Sequence, residues 1–299
     1  MSSVGIVLLN YNSTQFTHEC VKSLWSTKDK KDEYHIVVWD NASKVIPTQK
    51  EIGKATLVCS STNDGFALGN NKAAQALLQK EKIDYLLFLN NDTRVTRGMV
   101  RVLIERFEKE KNCGCVVPKI YFERGHEYWR KDYSSDEQGN VIWYAGGEID
   151  WDSIIAFHRG VDEVDRGQFE TSTETEFAAG TALLTTPSIW KKLHGFDPQY
   201  FLYYEDVDLS LRLKVKKKKI CYEPKATLFH INAGSSEGSG SQLHVYYQTR
   251  NRLRLGFSYA RMRTKLALLK EAKNQYIHGS AMQRKGIVDA LLGKWGKQL

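Results

Sequence analysis

The 299-residue sequence lacks a long hydrophobic segment. A membrane-spanning helix needs about 18 consecutive apolar residues, and no run in this chain approaches that length. Near the N-terminus the only apolar segment covers residues 4–9. It is too short for the core of a signal peptide and has no basic region before it. We therefore expect a chain that is made and kept in the cytosol.

Cysteine is also scarce. The five cysteines are an odd number without paired spacing, and Cys113-Gly114-Cys115 is too tight for an ordinary zinc knuckle. These features argue against a disulfide-stapled domain and a cysteine zinc site. We expect all five to be reduced thiols, mostly in the core. They are Cys20, Cys59, Cys113, Cys115 and Cys221.

Acidic residues are nearly missing from the last fifty positions. Residues 250–299 contain twelve lysines and arginines but only Glu271 and Asp289, which gives this segment a net charge of +10. Since the whole chain carries +8, the first 249 residues carry −2. Such a basic tail could meet nucleic acid or an anionic membrane. No base-reading motif supports nucleic acid, so we expect no such partner.

Two interpretations of the tail stay open. Leucines, isoleucine and valine interleave with its bases, which is typical of an amphipathic helix lying on anionic lipid. The same pattern is typical of helices that pack on the domain with a basic face in water. The apolar positions are Leu266, Leu268, Leu269, Ile287, Val288, Leu291 and Leu292.

The first half of the chain alternates short apolar strands with helices, which predicts an α/β fold with a mostly parallel sheet. In such sheets ligands bind beyond the carboxyl ends of the strands. Strands are expected at residues 4–9, 35–40, 55–60, 85–89 and 115–119, and helices at 15–25, 66–79 and 99–111.

The second half is less regular. Residues 121–176 have weak periodicity, and we expect an insertion in which segments 142–145 and 154–158 form an antiparallel hairpin. Order returns with a strand at 181–185, helices at 189–193 and 206–219, and a strand at 227–230. From residue 242 onward the pattern is helical.

Polar clusters follow three of the predicted strands. Asn10-Tyr11-Asn12 offers a tyrosine that could stack on a nucleobase, or it is a polar turn with a packed ring. Asp40-Asn41 could accept hydrogen bonds from a base or ribose, or it is a turn. Asn90-Asn91-Asp92 follows the most apolar strand, and Asp92 is either a ligand of Mg²⁺ or Mn²⁺ or a helix cap.

Three carboxylates crowd the segment 203–208, in Glu205, Asp206 and Asp208. Because like charges repel, such a cluster needs a helix N-terminus, a cation or a catalytic purpose. Asp208 has Arg212 four residues on, which favours an ion pair. His230 ends a strand before a Gly/Ser loop and is a candidate ligand, whereas the other seven histidines lack such a context.

These segments resemble, in order, those of family-two glycosyltransferases, and most closely the rhamnosyltransferase-like branch that builds bacterial surface polysaccharides. The resemblance covers about residues 3–254. It rests on Asn10-Tyr11-Asn12, Asp40-Asn41, the Asn-Asp-Gly-Phe-Ala-Leu-Gly-Asn-Asn of 63–71, Asn90-Asn91-Asp92, the run 195–208, His230 and the Tyr-Gln-Thr-Arg-Asn of 247–251. Asn90 departs from the family, whose metal motif often begins with Asp.

The resemblance implies a GT-A fold and a metal-dependent inverting glycosyltransferase. The catalytic domain would be residues 1–241, with a nucleotide-binding half to 120, an acceptor half from 121, and a basic helical extension at 242–299. Asp206 would be the base with Glu205 beside it, and Asp92 and His230 would hold Mn²⁺ or Mg²⁺. The donor would be dTDP-rhamnose or a UDP-hexose, and the acceptor a saccharide that could be lipid-linked.

The donor contacts are also assigned by this resemblance, whereas Gly180, Thr181 and Trp143 are acceptor candidates by residue type, with core packing as the other reading of the tryptophan. Donor contacts would come from Asn10, Tyr11, Asn12, Asp40, Asn41, Gly65, Asn70, Asn90 and Asn91. Acceptor contacts would come from Trp143, Gly180, Thr181, Tyr204 and Arg250. Two alternatives stay open: a non-catalytic saccharide-binding relative, and a sugar nucleotidyltransferase, although the first strand is not followed by the latter's Gly-rich basic loop.

Overall fold

The computed structural model describes residues 1–232 and 240–299. The Gly/Ser loop predicted after His230 falls mainly on residues 233–239 and so lies outside the described residues. In the first half the strands are β1 (Ser2–Asn10), β2 (Asp32–Asp40), β3 (Thr56–Cys59), β4 (Tyr85–Asn90), β5 (Thr93–Val95) and β6 (Cys113–Phe122). The helices are α1 (Thr14–Thr27), α2 (Gln49–Ile52), α3 (Gly65–Lys80) and α4 (Met99–Lys109).

The second half adds shorter strands and a helical C-terminus. Its strands are β7 (Ile142–Tyr144), β8 (Gly147–Asp150), β9 (Ile155–His158), β10 (Thr173–Glu174), β11 (Ala182–Thr185) and β12 (Lys219–His230). Its helices are α5 (Pro187–Leu193), α6 (Glu205–Val215), α7 (Gln242–Tyr259), α8 (Met262–His278) and α9 (Ala281–Leu291).

One mixed sheet, flanked by helices, forms the centre of the fold in the order β10-β12-β6-β11-β4-β1-β2-β3. The run β4-β1-β2-β3 is parallel, as the βαβ pattern predicts. β11 runs antiparallel between β4 and β6, while β12 is parallel to β6. The predicted α/β class is confirmed.

The predicted hairpin partner was wrong. β9 pairs with β8, whereas β7 pairs antiparallel with β6. Ile142 and Tyr144 are fully buried, so this segment joins the main sheet. Gly146, with φ of 109°, then turns the chain before β8 begins.

The predicted end of helix α6 was also wrong. The helix stops at Val215, and Lys217 takes the left-handed region with φ of 56°. The chain therefore reverses, and β12 starts at Lys219, well before the predicted strand. Pro224 lies in β12 where its register against β6 shifts, because proline cannot donate a ladder hydrogen bond.

The C-terminal helices join the same hydrophobic core as the sheet. Their buried side chains include Leu253, Leu268, Ala272, Ile287 and Ala290. The division at residue 241 stays a prediction. Among the described helices, none combines the length and apolar content needed to cross a bilayer.

The thiol prediction is confirmed. All five cysteines are unpaired, and four of them are buried. Cys113 and Cys221 bring their Sγ atoms within 3.4 Å of each other across β6 and β12 without forming a disulfide.

Candidate active site

A cleft of about 520 Å³ opens where β4 ends. This is the edge at which a parallel sheet presents its ligand site. The predicted residues Asn90, Asn91, Asp92, Trp143, Gly180, Thr181, Tyr204, Glu205, Asp206 and His230 all line it. Sequence positions more than a hundred residues apart are thus brought to one cavity.

Two antiparallel strands place Asp92 beside His230. β5 begins directly after Asp92 and pairs with the end of β12, where His230 lies opposite Thr93. Asp92 Oδ1 and His230 Nε2 are 3.1 Å apart, and both residues are buried. The Trp143 ring stands edge-on to the imidazole, with centroids 4.6 Å apart.

The pair fits a divalent cation. Two neighbouring ligands of an octahedral ion with bonds of about 2.1 Å lie about 3.0 Å apart, close to the separation found here. Across residues 1–232 and 240–299, no group of three or more metal-ligating side chains of His, Cys, Asp or Glu occurs. Phosphate oxygens and water would have to complete the shell, as is usual for Mg²⁺.

Asp206 occupies the first turn of α6, behind two residues with left-handed backbone, Tyr203 and Tyr204. Its Oδ2 accepts a hydrogen bond from the Gly180 N–H at 2.8 Å, and its Oδ1 accepts one from the Val207 N–H at 2.8 Å. These donors and the helix N-terminus favour a carboxylate.

Glu205 has the opposite surroundings. It is buried, and within the described part of the chain its Oε2 has no hydrogen-bond partner. Burial, and then the adjacent Asp206 charge, raise the pKa of Glu205 well above its ordinary value. Burial also raises the pKa of Asp206, but its backbone donors oppose the shift. These surroundings favour the proton on Glu205 and the charge on Asp206.

Asp208 points away from the reacting groups. It accepts from Arg212 Nε at 2.7 Å and from the Tyr259 hydroxyl at 2.8 Å. The predicted ion pair with Arg212 is confirmed, and Asp208 anchors α6 to α7.

The residues after β1 and β2 form a buried polar network. Asn10 Nδ2 donates to Asp40 Oδ1 at 2.7 Å, and Asp40 Oδ2 accepts from the Ser43 N–H. Asn91 Nδ2 donates to the hydroxyls of Ser13 and Thr17 at 2.7 Å. Asn10 and Asp40 are fully buried, and the structure does not bring them to the wall of the cleft.

Two other predicted donor residues also form hydrogen bonds within the protein. Asn41 Nδ2 donates to Asn63 Oδ1 and to the Gly65 carbonyl, and Asn70 Nδ2 donates to the Phe66 carbonyl. Asn41 and Asn70 are buried with these bonds made. Their side-chain amides are thus bonded within the protein, and their predicted contact with the donor stays a prediction.

Gly65 is needed for a close approach. Its φ is 71°, and a Cβ here would lie 2.5 Å from the Phe201 carbonyl oxygen. The glycine thereby lets α3 start against the segment that leads to Asp206. Tyr11 and Asn12 lie in the bend after β1, outside the wall of the cleft, and the Asn12 Oδ1 accepts from the Lys44 N–H.

Arg250 does not line the cleft, and its contact with the acceptor stays a prediction. It is fully buried, and its guanidinium donates to the carbonyls of Gln199, Tyr200 and Gly296. This enclosure argues against direct contact with an acceptor. It fastens α7 to the segment before α6.

Sequence reasoning missed two histidines. His158 and His244 both line the cleft, although neither belongs to one of the polar clusters that follow the predicted strands. Burial lowers the pKa of His158 to about 4, so it is a neutral ring. Tyr128, Phe177, Tyr203 and Gln248 were missed as well, and weak periodicity in residues 121–176 gave no signal for the first of these.

Comparison with known proteins assigns the chain to a family. The family model "Glycosyl transferase family 2" matches residues 5–165, more than half of the sequence. The chain belongs to glycosyl transferase family 2. It is a glycosyltransferase, and the predicted family resemblance is confirmed.

The relatives agree with this assignment. Rhamnosyltransferase WbbL of Escherichia coli (strain K12) is 26% identical over 234 residues, which is 76% of this chain and 83% of WbbL. The family-2 chain therefore lies near the rhamnosyltransferase branch.

Two solved structures share the GT-A fold. One is GalNAc-T7 with UDP, GalNAc and Mn²⁺ (TM-score 0.64, 15% identity, 96% of this chain and 54% of that one). The other is the mannosyltransferase PcManGT of Pyrobaculum calidifontis with GDP-Man and Mn²⁺ (TM-score 0.55, 11% identity, 97% and 87%).

Proposed function

We propose that this family-2 chain transfers a sugar from a nucleoside diphosphate donor to a saccharide hydroxyl with inversion, using Mn²⁺ or Mg²⁺. The observation that carries the proposal is one cleft that holds both the Asp92–His230 pair and the carboxylate of Asp206. A cation site and a base are what this reaction needs. The two structural neighbours were solved with Mn²⁺ and a nucleotide or nucleotide sugar, which supports the proposal.

The proposed step is a single displacement. The acceptor oxygen attacks the anomeric carbon, the bond from that carbon to the phosphate oxygen breaks, and the electron pair leaves with the nucleoside diphosphate. Asp206 takes the hydroxyl proton. Bound at Asp92 and His230, a divalent cation would neutralise charge on the departing diphosphate.

The Gly180 N–H has a positioning role in this scheme. By donating to Oδ2 it holds the Asp206 carboxylate in the cleft and keeps it ionised. Thr181, Trp143 and Tyr204 line the same space and are the proposed acceptor contacts. An aromatic face suits the apolar face of a sugar ring.

We propose a deoxyhexose or hexose donor, dTDP-rhamnose or a UDP-hexose, and a role in bacterial surface polysaccharide synthesis. The support is the likeness to rhamnosyltransferase WbbL. Membership of glycosyl transferase family 2 argues against the alternative of a sugar nucleotidyltransferase. A non-catalytic saccharide binder is argued against by the cleft that brings the Asp206 carboxylate together with the Asp92–His230 pair.

A nucleotide-sugar screen tests the function. We expect one donor to raise the melting temperature and to be hydrolysed slowly when Mn²⁺ or Mg²⁺ is present, and chelation by EDTA to abolish the hydrolysis. His230→Ala should need more metal for half-maximal rate, because one ligand is lost. Donor binding without hydrolysis at any metal concentration would favour the non-catalytic alternative.

The basic tail has features of both interpretations, packing on the domain and contact with a membrane. Leu268 and Ile287 are buried in the core, so α8 and α9 pack on the domain. Leu266 and Leu292 nevertheless remain 62% and 64% exposed. Met262, Leu266, Leu269 and Tyr276 share one face of α8 by spacing, and exposed lysines flank them. We propose that this face rests on an anionic membrane that carries a lipid-linked acceptor.

Vesicle pelleting tests the membrane contact. The double variant Lys270→Gln and Lys273→Gln should bind phosphatidylglycerol vesicles about thirtyfold more weakly, because each basic residue near the surface contributes about 1 kcal/mol. The matched control is Lys216→Gln with Lys217→Gln, two exposed lysines at the end of α6. Equal pelleting of the two double variants would remove α8 from the interface.

A further inference from the structure

A second groove of about 400 Å³ continues from the catalytic cleft along the C-terminal helices. It runs between β9, α7 and α8. Ala156, Tyr204, His244 and Gln248 line both cavities, so the groove adjoins the cleft. A molecule whose end lies at Asp206 can therefore extend into the groove. Its volume is within the usual range for small-molecule sites.

The charges of the groove are already paired. Arg252 is the one Lys or Arg of its described lining. It donates from Nη1 and Nη2 to the Glu271 carboxylate at 2.7 and 2.8 Å, and from Nε to the Ser153 carbonyl at 2.8 Å. Gln275 Nε2 donates to the same carboxylate at 2.8 Å. Burial lowers the pKa of His244, which favours a neutral ring.

This balance selects a class of ligand. A phosphate or carboxylate would find the Arg252 guanidinium already paired, and a purely aliphatic chain would leave the Gln248 amide without a partner. Leu253, Leu268 and Ala272 give the groove an apolar floor. An apolar floor with amides at the rim suits the C–H face and the hydroxyls of a neutral sugar.

We propose that the groove is an acceptor subsite for the second sugar of a glycan whose terminal sugar is glycosylated at Asp206. The enzyme would thus prefer acceptors of at least two sugars. This inference rests on the proposed transfer reaction. It adds to that reaction the site at which the enzyme distinguishes a two-sugar acceptor from a single sugar.

The test compares p-nitrophenyl hexosides with p-nitrophenyl glycosides that carry a second sugar, using the full chain and the donor found by the screen. We expect kcat/KM to be at least about tenfold higher for the two-sugar acceptor, since one or two added hydrogen bonds to the protein contribute about that much. In Gln275→Trp, whose indole would fill the groove, this ratio should fall close to one.

Asn274→Trp is the matched control, because Asn274 lies on the exposed face of the same helix, outside the groove lining, and the ratio should stay as in the wild type. Should Gln275→Trp fail to fold, Gln275→Ala should still lower the ratio severalfold. The subsite is refuted by a wild-type ratio near one, by a folded Gln275→Trp that keeps the wild-type ratio, or by hydrolysis of the donor without transfer to any two-sugar glycoside. Loss of both hydrolysis and transfer would instead refute the proposed function.

Discussion

Asp206→Asn should lower kcat by about 10²–10⁴-fold while leaving donor binding nearly unchanged, because an amide cannot take the acceptor proton. The substitution keeps the size of the side chain and its place at the start of α6. The measurement is steady-state transfer at saturating donor, with donor affinity from thermal stabilisation. A variant that kept more than about a tenth of wild-type kcat would contradict the assignment of the base.

The pH profile gives a second measurement of the same residue. Burial raises the pKa of Asp206, so on acidification its base form is lost at a higher pH than that of an ordinary aspartate, about 3.9. The acidic limb of kcat/KM should therefore lie above that value, and activity should fall as pH decreases through it. The residual activity of Asp206→Asn should lack this limb.

Glu205→Gln is the matched control. Because burial and the Asp206 charge raise the pKa of Glu205 and so favour its protonated form, glutamine reproduces that neutral state. We expect less than about a tenfold loss of kcat, well short of the effect of losing the base. An equal loss in both variants would show that the pair acts as one unit and that Asp206 alone is not the base.

Much of the site followed from local sequence. Asn90, Asp92 and His230 end or follow apolar strands, and strands of a sheet carry their last residues to a common edge. The pairing of Asp208 with Arg212 followed from helical spacing. These inferences needed only the spacing of residues along a helix and the position at which a strand ends.

The features of the site that the sequence pattern did not predict depend on burial and on contacts between residues far apart in the chain. The motif around Arg250 resembles a binding motif, yet its side chain lies in the core against the chain fifty residues earlier. Asn41 and Asn70 face inward because their amides close the turn and helix that begin near Gly65. His158 joins the cleft through strand pairing that the sequence pattern assigned to the wrong partner.

Arg250→Ala should destabilise the protein by about 3–5 kcal/mol, measured by urea unfolding. The fully buried guanidinium donates to the carbonyls of Gln199, Tyr200 and Gly296, and a hydrogen bond to a charged group contributes about 1.5–3 kcal/mol. Its faces also contact aromatic rings, with Tyr247 at 4.7 Å from the charge centre. The stability of Arg250→Lys should fall between those of the wild type and Arg250→Ala, because an ammonium cannot reproduce the planar hydrogen-bonding geometry of the guanidinium.

The control and the kinetics separate a structural role from acceptor contact. Arg263→Ala, which removes an exposed arginine in the first turn of α8, should change stability by less than about 0.5 kcal/mol. Asn251 binds the carbonyls of Tyr200, Leu202 and Tyr203, so loosening this junction disturbs the residues that lead into Asp206. We therefore expect kcat of Arg250→Ala to fall with stability. Wild-type stability combined with a raised KM for acceptor would restore Arg250 to the acceptor site.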